Sequence, residues 1–190
     1  MLTKTKTAAK TSRQAELWAQ RNRLVSSGSA AYAPLVIEKA KNALLWDVDG
    51  KEYVDFAGGI GAMNVGHCHP KVTQALKEQA GKLTHMSFHV SAYPGYLALC
   101  RKLVDSFPGQ GPAKAILFNS GSEAIENAVK FSRASTKRKG IVSFTNAFHG
   151  RTLLCLTLDG KYKPLRQGFG PCPPEIYRSL FPYPYRAPKG

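Results

Sequence analysis

Apolar and polar positions alternate along the chain with two different periods. From Leu44 to Phe56 the run Leu-Leu-Trp-Asp-Val-Asp-Gly-Lys-Glu-Tyr-Val-Asp-Phe changes character almost residue by residue, the period of half-buried strands. Asp49-Gly50 at its middle is a two-residue turn signal, so the stretch predicts a β-hairpin. A helical period appears at Ala15–Leu24, within an otherwise polar segment. It returns after Pro70, where Val72, Ala75, Leu76 and Ala80 fall on one face and Pro70 suits the first helical position. A further helix is predicted over Tyr96–Phe107, stopped by Pro108-Gly109. Gly58-Gly59-Ile60-Gly61 predicts a flexible loop that lets backbone approach a ligand or another strand.

The second half changes rhythm. Ala115–Phe118 is a short apolar run of strand length, Asn119-Ser120-Gly121 a tight turn, and Glu123–Ser135 a helix with Ile125, Ala128, Val129 and Ser132 on one face. Ile141–Phe144 predicts a second buried strand, and Leu153–Leu156 a helix or strand. Strand, helix, strand in that order points to an α/β fold with a parallel sheet. Residues 160–190 are rich in Pro, Gly and Tyr and predict loop with little regular structure. Such a tail is more natural as a long functional loop inside a larger protein than as the end of a domain.

Composition narrows the class. The chain has 190 residues, 43% hydrophobic and 10% aromatic, enough for a packed core and unlike disordered or low-complexity chains. Its net charge is +15, distributed unevenly. Residues 1–29 hold six basic and one acidic side chain, residues 30–129 nine of each, and residues 130–190 twelve basic and two acidic. A basic balance permits nucleic acid or an acidic membrane as partner without demonstrating either. A chain cut before an acidic half would look the same. Cys68, Cys100, Cys155 and Cys172 form no CxxC pair, which argues against a zinc ribbon and fits reduced cytoplasmic thiols. No apolar run approaches the roughly 18–20 residues of a membrane helix. The N-terminus lacks the apolar core of a secretory signal, although its Thr- and Lys-rich start leaves a mitochondrial matrix address open.

Two turns carry candidate chemistry. Ser120-Gly121-Ser122-Glu123 follows a predicted strand and opens a helix, with the Ser/Glu spacing of a capping box. Free amides at a helix start, with the positive end of the helix dipole, form an anion site. The segment is neither GxxxxGK[ST] nor GxGxxG, so a nucleotide loop is not indicated, and an ordinary helix cap is the alternative. Phe148-His149-Gly150-Arg151 follows the next strand, and in a parallel sheet such loops open on the same edge. An aromatic face there can stack on a flat ring, and Arg151 can hold a carboxylate by two parallel bonds. The alternative is a core Phe, a hydrogen-bonded His and a surface Arg. A phosphate cradle, a ring platform and a carboxylate clamp together describe a site for pyridoxal 5′-phosphate and an acidic substrate.

Longer stretches carry a resemblance. Asn119-Ser120-Gly121-Ser122-Glu123-Ala124-Ile125-Glu126-Asn127-Ala128-Val129-Lys130 resembles the phosphate-binding segment of class III (ω-amino acid) aminotransferases, and Ala147-Phe148-His149-Gly150-Arg151-Thr152 resembles their cofactor-ring segment. Asp55–Ile60 with Gly66-His67-Cys68-His69-Pro70-Lys71-Val72 is similar to the 4-aminobutyrate branch. So is Gly168–Pro171 with Tyr177-Arg178 and Pro182–Arg186. The resemblance implies the N-terminal part of the aspartate-aminotransferase-type fold (fold type I), with an incomplete large-domain sheet. Residues 1–30 would be a basic arm, 31–108 a small-domain segment with linking helices, and 109–190 the start of the large cofactor-binding domain.

It also implies roles. Gly121 and Ser122 would bind the cofactor phosphate, Phe148 would stack on the pyridine ring with His149 beside it, and Arg151 would hold the substrate carboxylate. Ile60 would line the substrate pocket and His89 stand near it. The implied reaction moves the terminal amine of 4-aminobutyrate to 2-oxoglutarate, giving succinic semialdehyde and glutamate, in a homodimer or tetramer. Phe148 stands where many relatives are expected to have Tyr, and His89 where Gln is expected. Phe148 keeps the stacking and loses the hydroxyl, while His89 leaves the substrate open to another short ω-amino acid such as 5-aminovalerate or β-alanine, and the same motifs occur in ornithine and acetylornithine enzymes. Family members are about twice this length. The Lys that forms the Schiff base and the Asp that pairs with the pyridine nitrogen are expected beyond Gly190, so the chain is expected to be a fragment, inactive alone and prone to aggregate. Competing readings are a metal site at His67-Cys68-His69 with His85 and His89, a basic nucleic-acid module using residues 133–140, and a non-catalytic binding protein.

Overall fold

A computed structural model describes residues 12–186. The first eleven residues, most of the basic arm's start, and the last four lie outside the described residues. The chain divides into two compact units, meeting between Ser91 and Ala92.

The first unit opens with α1 (Arg13–Leu24), slightly longer than the periodicity predicts. Ser12 caps it, its Oγ accepting the amide of Ala15 at 3.2 Å. The helix buries no residue. Polar bonds attach it instead: Gln14 donates to the carbonyl of Pro34 at 2.6 Å and accepts the amide of Val36 at 2.9 Å. Three antiparallel strands follow, β1 (Ile37–Lys41), β2 (Leu44–Asp47) and β3 (Glu52–Val54), in the order β1-β2-β3. The hairpin is where the alternation predicts it, with Leu44 opposite Val54 and Trp46 opposite Glu52. Its turn has one residue more than Asp49-Gly50 suggests. The amide of Asp47 donates to the carbonyl of Lys51 and the amide of Gly50 to that of Asp47, leaving the loop Val48-Asp49-Gly50 with Gly50 at φ +86°. That is a tight turn closed by a left-handed residue, a common three-residue hairpin geometry. The turn is held from inside by Asp47, whose Oδ1 accepts the amides of Asp49 and Lys51 and whose Oδ2 accepts the Tyr53 hydroxyl at 2.8 Å.

Gly58-Gly59-Ile60-Gly61 is a single helical turn, α2, rather than a free loop. Gly59 and Ile60 are both left-handed inside it, Ile60 at φ 59° and ψ 42°. A β-branched residue pays a steric cost there, so something must hold the turn. Asp55 supplies it: Oδ1 accepts the amides of Ala57 and Gly58, and Oδ2 is 2.7 Å from His67 Nε2. The unit ends with α3 (Pro70–Ala80), which starts at Pro70 as expected.

The second unit contains α4 (Pro94–Asp105), α5 (Gly121–Thr136), β4 (Ile141–Phe144), α6 (Leu153–Leu158), β5 (Ile176–Ser179) and a short 3-10 turn at Pro184–Arg186. β4 and β5 pair in parallel, Ile141 opposite Ile176 and Phe144 opposite Ser179. The crossover between them runs through α6. Its core joins Val129 of α5 to Leu154 and Leu158 of α6, with Ile125, Ile141 and Ile176 packed against them. One expectation fails here. Ala115–Phe118 forms no strand, because nothing among the described residues pairs with it, and Ile116 is more than half exposed. Residues 160–186 are mostly loop as expected, but they contain a strand that the sequence hides by its flanking prolines and its single buried-side Ile: Ile176–Ser179 pairs with β4. Among the described residues no helix is long and apolar enough to cross a membrane.

Candidate functional site

The cleft of interest lies wholly within the second unit, where the start of α5 meets the loop after β4. Ser120 is the N-cap of α5, its Oγ accepting the amide of Glu123 at 3.1 Å. The return bond of the capping box goes one residue further out, from the amide of Asn119 to Glu123 Oε2 at 2.7 Å. Gly121 and Ser122 occupy the first turn, where backbone amides have no intrahelical acceptor. A side chain at Gly121 would project into open space, with no atom within 4 Å of its Cβ. The helix start is therefore both donor-rich and uncovered, as an anion cradle requires.

The loop 145–151 is brought onto that helix start by short contacts. Gly150 is buried, has φ +133°, and has no room for a Cβ, which would overlap Ser122 Oγ. Ser122 Oγ accepts the amide of Arg151 at 3.4 Å, and the thiol of Cys155 lies 3.6 Å from the carbonyl of Ser122. Next to them Thr152 caps α6 and donates to Glu126 Oε1 at 2.6 Å, joining the two helices. The result is an open cleft of about 720 Å³, lined by Gly121 and Ser122 on one wall and Phe148, His149 and Arg151 on the other. Phe148 is 61% exposed, so a ring face is available for stacking. The Arg151 side chain is exposed and makes no hydrogen bond or ion pair among the described residues. His149 is held through its backbone, whose amide donates to Asp159 Oδ1 at 2.5 Å. Among the described residues no lysine lines the cleft.

His149 also borders a larger, mostly apolar hollow of about 1100 Å³ lined by Phe144, Phe181 and Tyr183. That hollow has no helix start and only Arg186 as a charged wall, so anion chemistry belongs to the smaller cleft. The five residues Gly121, Ser122, Phe148, His149 and Arg151 are thus brought together. Ile60 and His89 lie in the first unit: Ile60 on the strained turn α2, 95% exposed, and His89 exposed in the turn Ser87–Ser91.

The histidine cluster has a different geometry from the one a metal needs. His67 is committed to Asp55, and among the described residues no group of three or more His, Cys, Asp or Glu converges. The basic run at the end of α5 begins with Arg133 in the helix's last turn, whose Nε donates to the carbonyl of Lys139 and so closes the helix end. Two supports of the site carry no sequence signal: Asp159, an acid in an apolar run, and the Glu126–Thr152 bond, which joins residues 26 positions apart.

Two carboxylates of the first unit, Asp47 and Asp55, have lowered pKa values. Burial pushes Asp47 up, but the Tyr53 hydroxyl and the amides of Lys51 and Asp49 outweigh it. Asp55 is held down chiefly by His67, then by the amide of Gly58. The bond to Asp47 correspondingly raises the Tyr53 phenol above 10.0.

Comparison with known proteins agrees with this geometry. Residues 25–189 match the family described as aminotransferase class-III. A probable 4-aminobutyrate aminotransferase of Bacillus subtilis is 49% identical over 174 residues, covering 91% of this chain and 40% of that protein. A 5-aminovalerate aminotransferase of Pseudomonas aeruginosa is 48% identical, covering 86% of this chain and 38% of its own length. Among solved structures, the taurine:2-oxoglutarate aminotransferase of Bifidobacterium kashiwanohense, in complex with pyridoxal phosphate and glutamate, superimposes with a TM-score of 0.81 at 27% identity, over 93% of this chain and 40% of that one. The chain spans about 40% of the length of these relatives. The family's enzymes depend on pyridoxal phosphate, and the open helix start and the bulk-free approach at Gly150 fit its phosphate and ring. The chain belongs to the class III aminotransferases and carries the N-terminal part of their fold.

Proposed function

We propose that the protein of which these residues form part transfers the terminal amine of 4-aminobutyrate to 2-oxoglutarate, giving succinic semialdehyde and glutamate. The observation that supports this reading is the meeting of Ser122 and Gly150, with an open helix start, an exposed aromatic ring and an exposed arginine lining the same cleft. Bound there, pyridoxal phosphate would supply the carbonyl that takes up the amine and the ring that accepts electrons from the carbon losing it. The amides of Gly121 and Ser122 would hold the phosphate, aided by the helix dipole. Phe148 would fix the ring plane, with His149 beside it. Arg151 would hold the carboxylate that both substrates carry away from the reacting carbon, and so orient the amine toward the ring. Ile60 and His89 would shape the substrate end of the pocket.

Among the described residues no lysine lines the cleft, and the 190 residues alone are proposed not to transaminate. A homodimer or tetramer in the cytoplasm is the proposed working form. The 48% identity to a 5-aminovalerate enzyme favours a second substrate reading, a chain one carbon longer.

Glutamate formation from 2-oxoglutarate with either amine tests both points. The 190-residue chain is expected to give only background. The product of a coding frame read on past the Gly190 codon is expected to turn over, with kcat/KM higher for 4-aminobutyrate. Turnover by the short chain would contradict the proposed role of a lysine elsewhere, and a preference for 5-aminovalerate would move the substrate assignment.

A further inference from the structure

We propose that Asp159 is a positioning residue for the ring-binding loop, an inference that rests on the cofactor reading above. Asp159 is fully buried at the C-terminal end of α6, the largest side chain among those with essentially no exposure. A carboxylate so placed needs strong partners to be tolerated. Its Oδ1 has one, the amide of His149, at 2.5 Å. Its Oδ2 has none among the described residues.

That bond reaches back ten residues to the loop carrying Phe148, His149 and Arg151. Its neighbour Gly160 reinforces it. The amide of Gly160 donates to the carbonyl of Ala147 at 2.9 Å, and a Cβ on Gly160 would overlap the backbone amide of Asn146. From the outer side, Arg178 of β5 donates to the carbonyl of Asp159 at 3.0 Å and also to that of Thr157. Arg166 adds a bond to the Thr157 carbonyl at 3.3 Å. Asp159-Gly160 is therefore clamped between the sheet and the loop. On the loop's far side the amide of Arg151 donates to Ser122 Oγ at 3.4 Å, and Thr152 just beyond it donates to Glu126 Oε1 at 2.6 Å. Asp159 does not itself line the cleft but bonds the backbone of His149, which does, so its effect runs through the pose of Phe148 and His149.

Amide hydrogen exchange of the loop, read alongside binding of pyridoxine 5′-phosphate, tests this on the 190-residue chain. That probe keeps the phosphate and ring but has an alcohol in place of the aldehyde, so it cannot condense with surface lysines. Asp159→Ala is expected to speed exchange at His149 by at least about tenfold and to weaken probe binding roughly ten- to hundredfold, the scale of one lost charge-assisted bond. Asp159→Asn keeps an oxygen acceptor and is expected to stay within about threefold of the parent in both readouts. Unchanged exchange at His149 in Asp159→Ala, with helix content retained, overturns the proposal. So does equal loss in the Asn variant, which would mean that the charge rather than the bond matters. Failure of the parent chain to bind the probe counts against the cofactor reading, while exchange at His149 still decides the role of Asp159.

Discussion

Gly150 is the residue on which the candidate cleft turns. Its positive φ and its contact with Ser122 leave no space for a methyl group. Gly150→Ala is expected to lower stability by about 1–3 kcal/mol, the usual cost of overpacking plus a disfavoured backbone. It should also abolish binding of the phosphate probe, because the two walls must part; urea unfolding and a probe titration check both. Arg151→Ala, by contrast, removes a side chain without structural partners. It should leave the melting temperature within about 2 °C and change only the response to carboxylate substrates. At this scale the sequence was informative where a residue type is chemically scarce. Gly121, Ser122, Phe148, His149 and Arg151 are all recognisable as a pattern, and all line one cleft. Asp159 was not, because a buried acid contacting a backbone amide ten residues away leaves no local period or motif.

At the scale of elements, local chemistry and long-range pairing part company. Helix α5 was legible because its cap, its first-turn acid and its apolar face agree. Ser120→Ala is expected to cost about 1 kcal/mol, the typical worth of an N-cap, measurable by thermal or denaturant unfolding of the second unit. The hairpin was legible from its alternation. Its extra turn residue was not, since Asp49-Gly50 suits either loop and the amides captured by Asp47 decide between them. Strands were misread where pairing decides. Ala115–Phe118 has strand composition and no partner among the described residues, while Ile176–Ser179 has weak composition and a full partner in β4.

The hairpin also makes a pH prediction. The folded pKa values of Asp47 and Asp55 lie below the ordinary 3.8. Their contribution is then complete above that value and is lost as pH falls through the folded values. The first unit should hold its fluorescence, reported by Trp18 and Trp46, down to about pH 4 and unfold below it. Asp47→Asn should flatten the acid limb of that curve. An acid transition unaltered by the substitution would remove Asp47 from the account.

Across the whole chain the buried hydrophobic set among the described residues is small: Val129, Leu154, Cys155, Leu156 and Leu158. Meanwhile Val142, Phe144, Leu180 and Phe181 are each more than 40% exposed, on or directly after the strands of the two-stranded parallel sheet. Parallel sheets are ordinarily covered on both faces. The chain is therefore expected to self-associate and to enhance the fluorescence of an apolar dye. Light scattering over a concentration series tests this, and a strictly monomeric chain that leaves the dye dark would contradict it. Composition alone could not reveal this exposure, since 43% hydrophobic residues is ordinary for a chain with a complete core.

The central claim is that one cleft in the second unit recognises both a phosphate and an aromatic ring. Titrating the chain with pyridoxine 5′-phosphate, and in parallel with pyridoxine lacking the phosphate, tests it most directly. Saturable binding of one phosphorylated ligand per chain is expected, lost in Gly150→Ala and at least about tenfold weaker without the phosphate. Equal binding of the two ligands, or binding that survives Gly150→Ala, would contradict it.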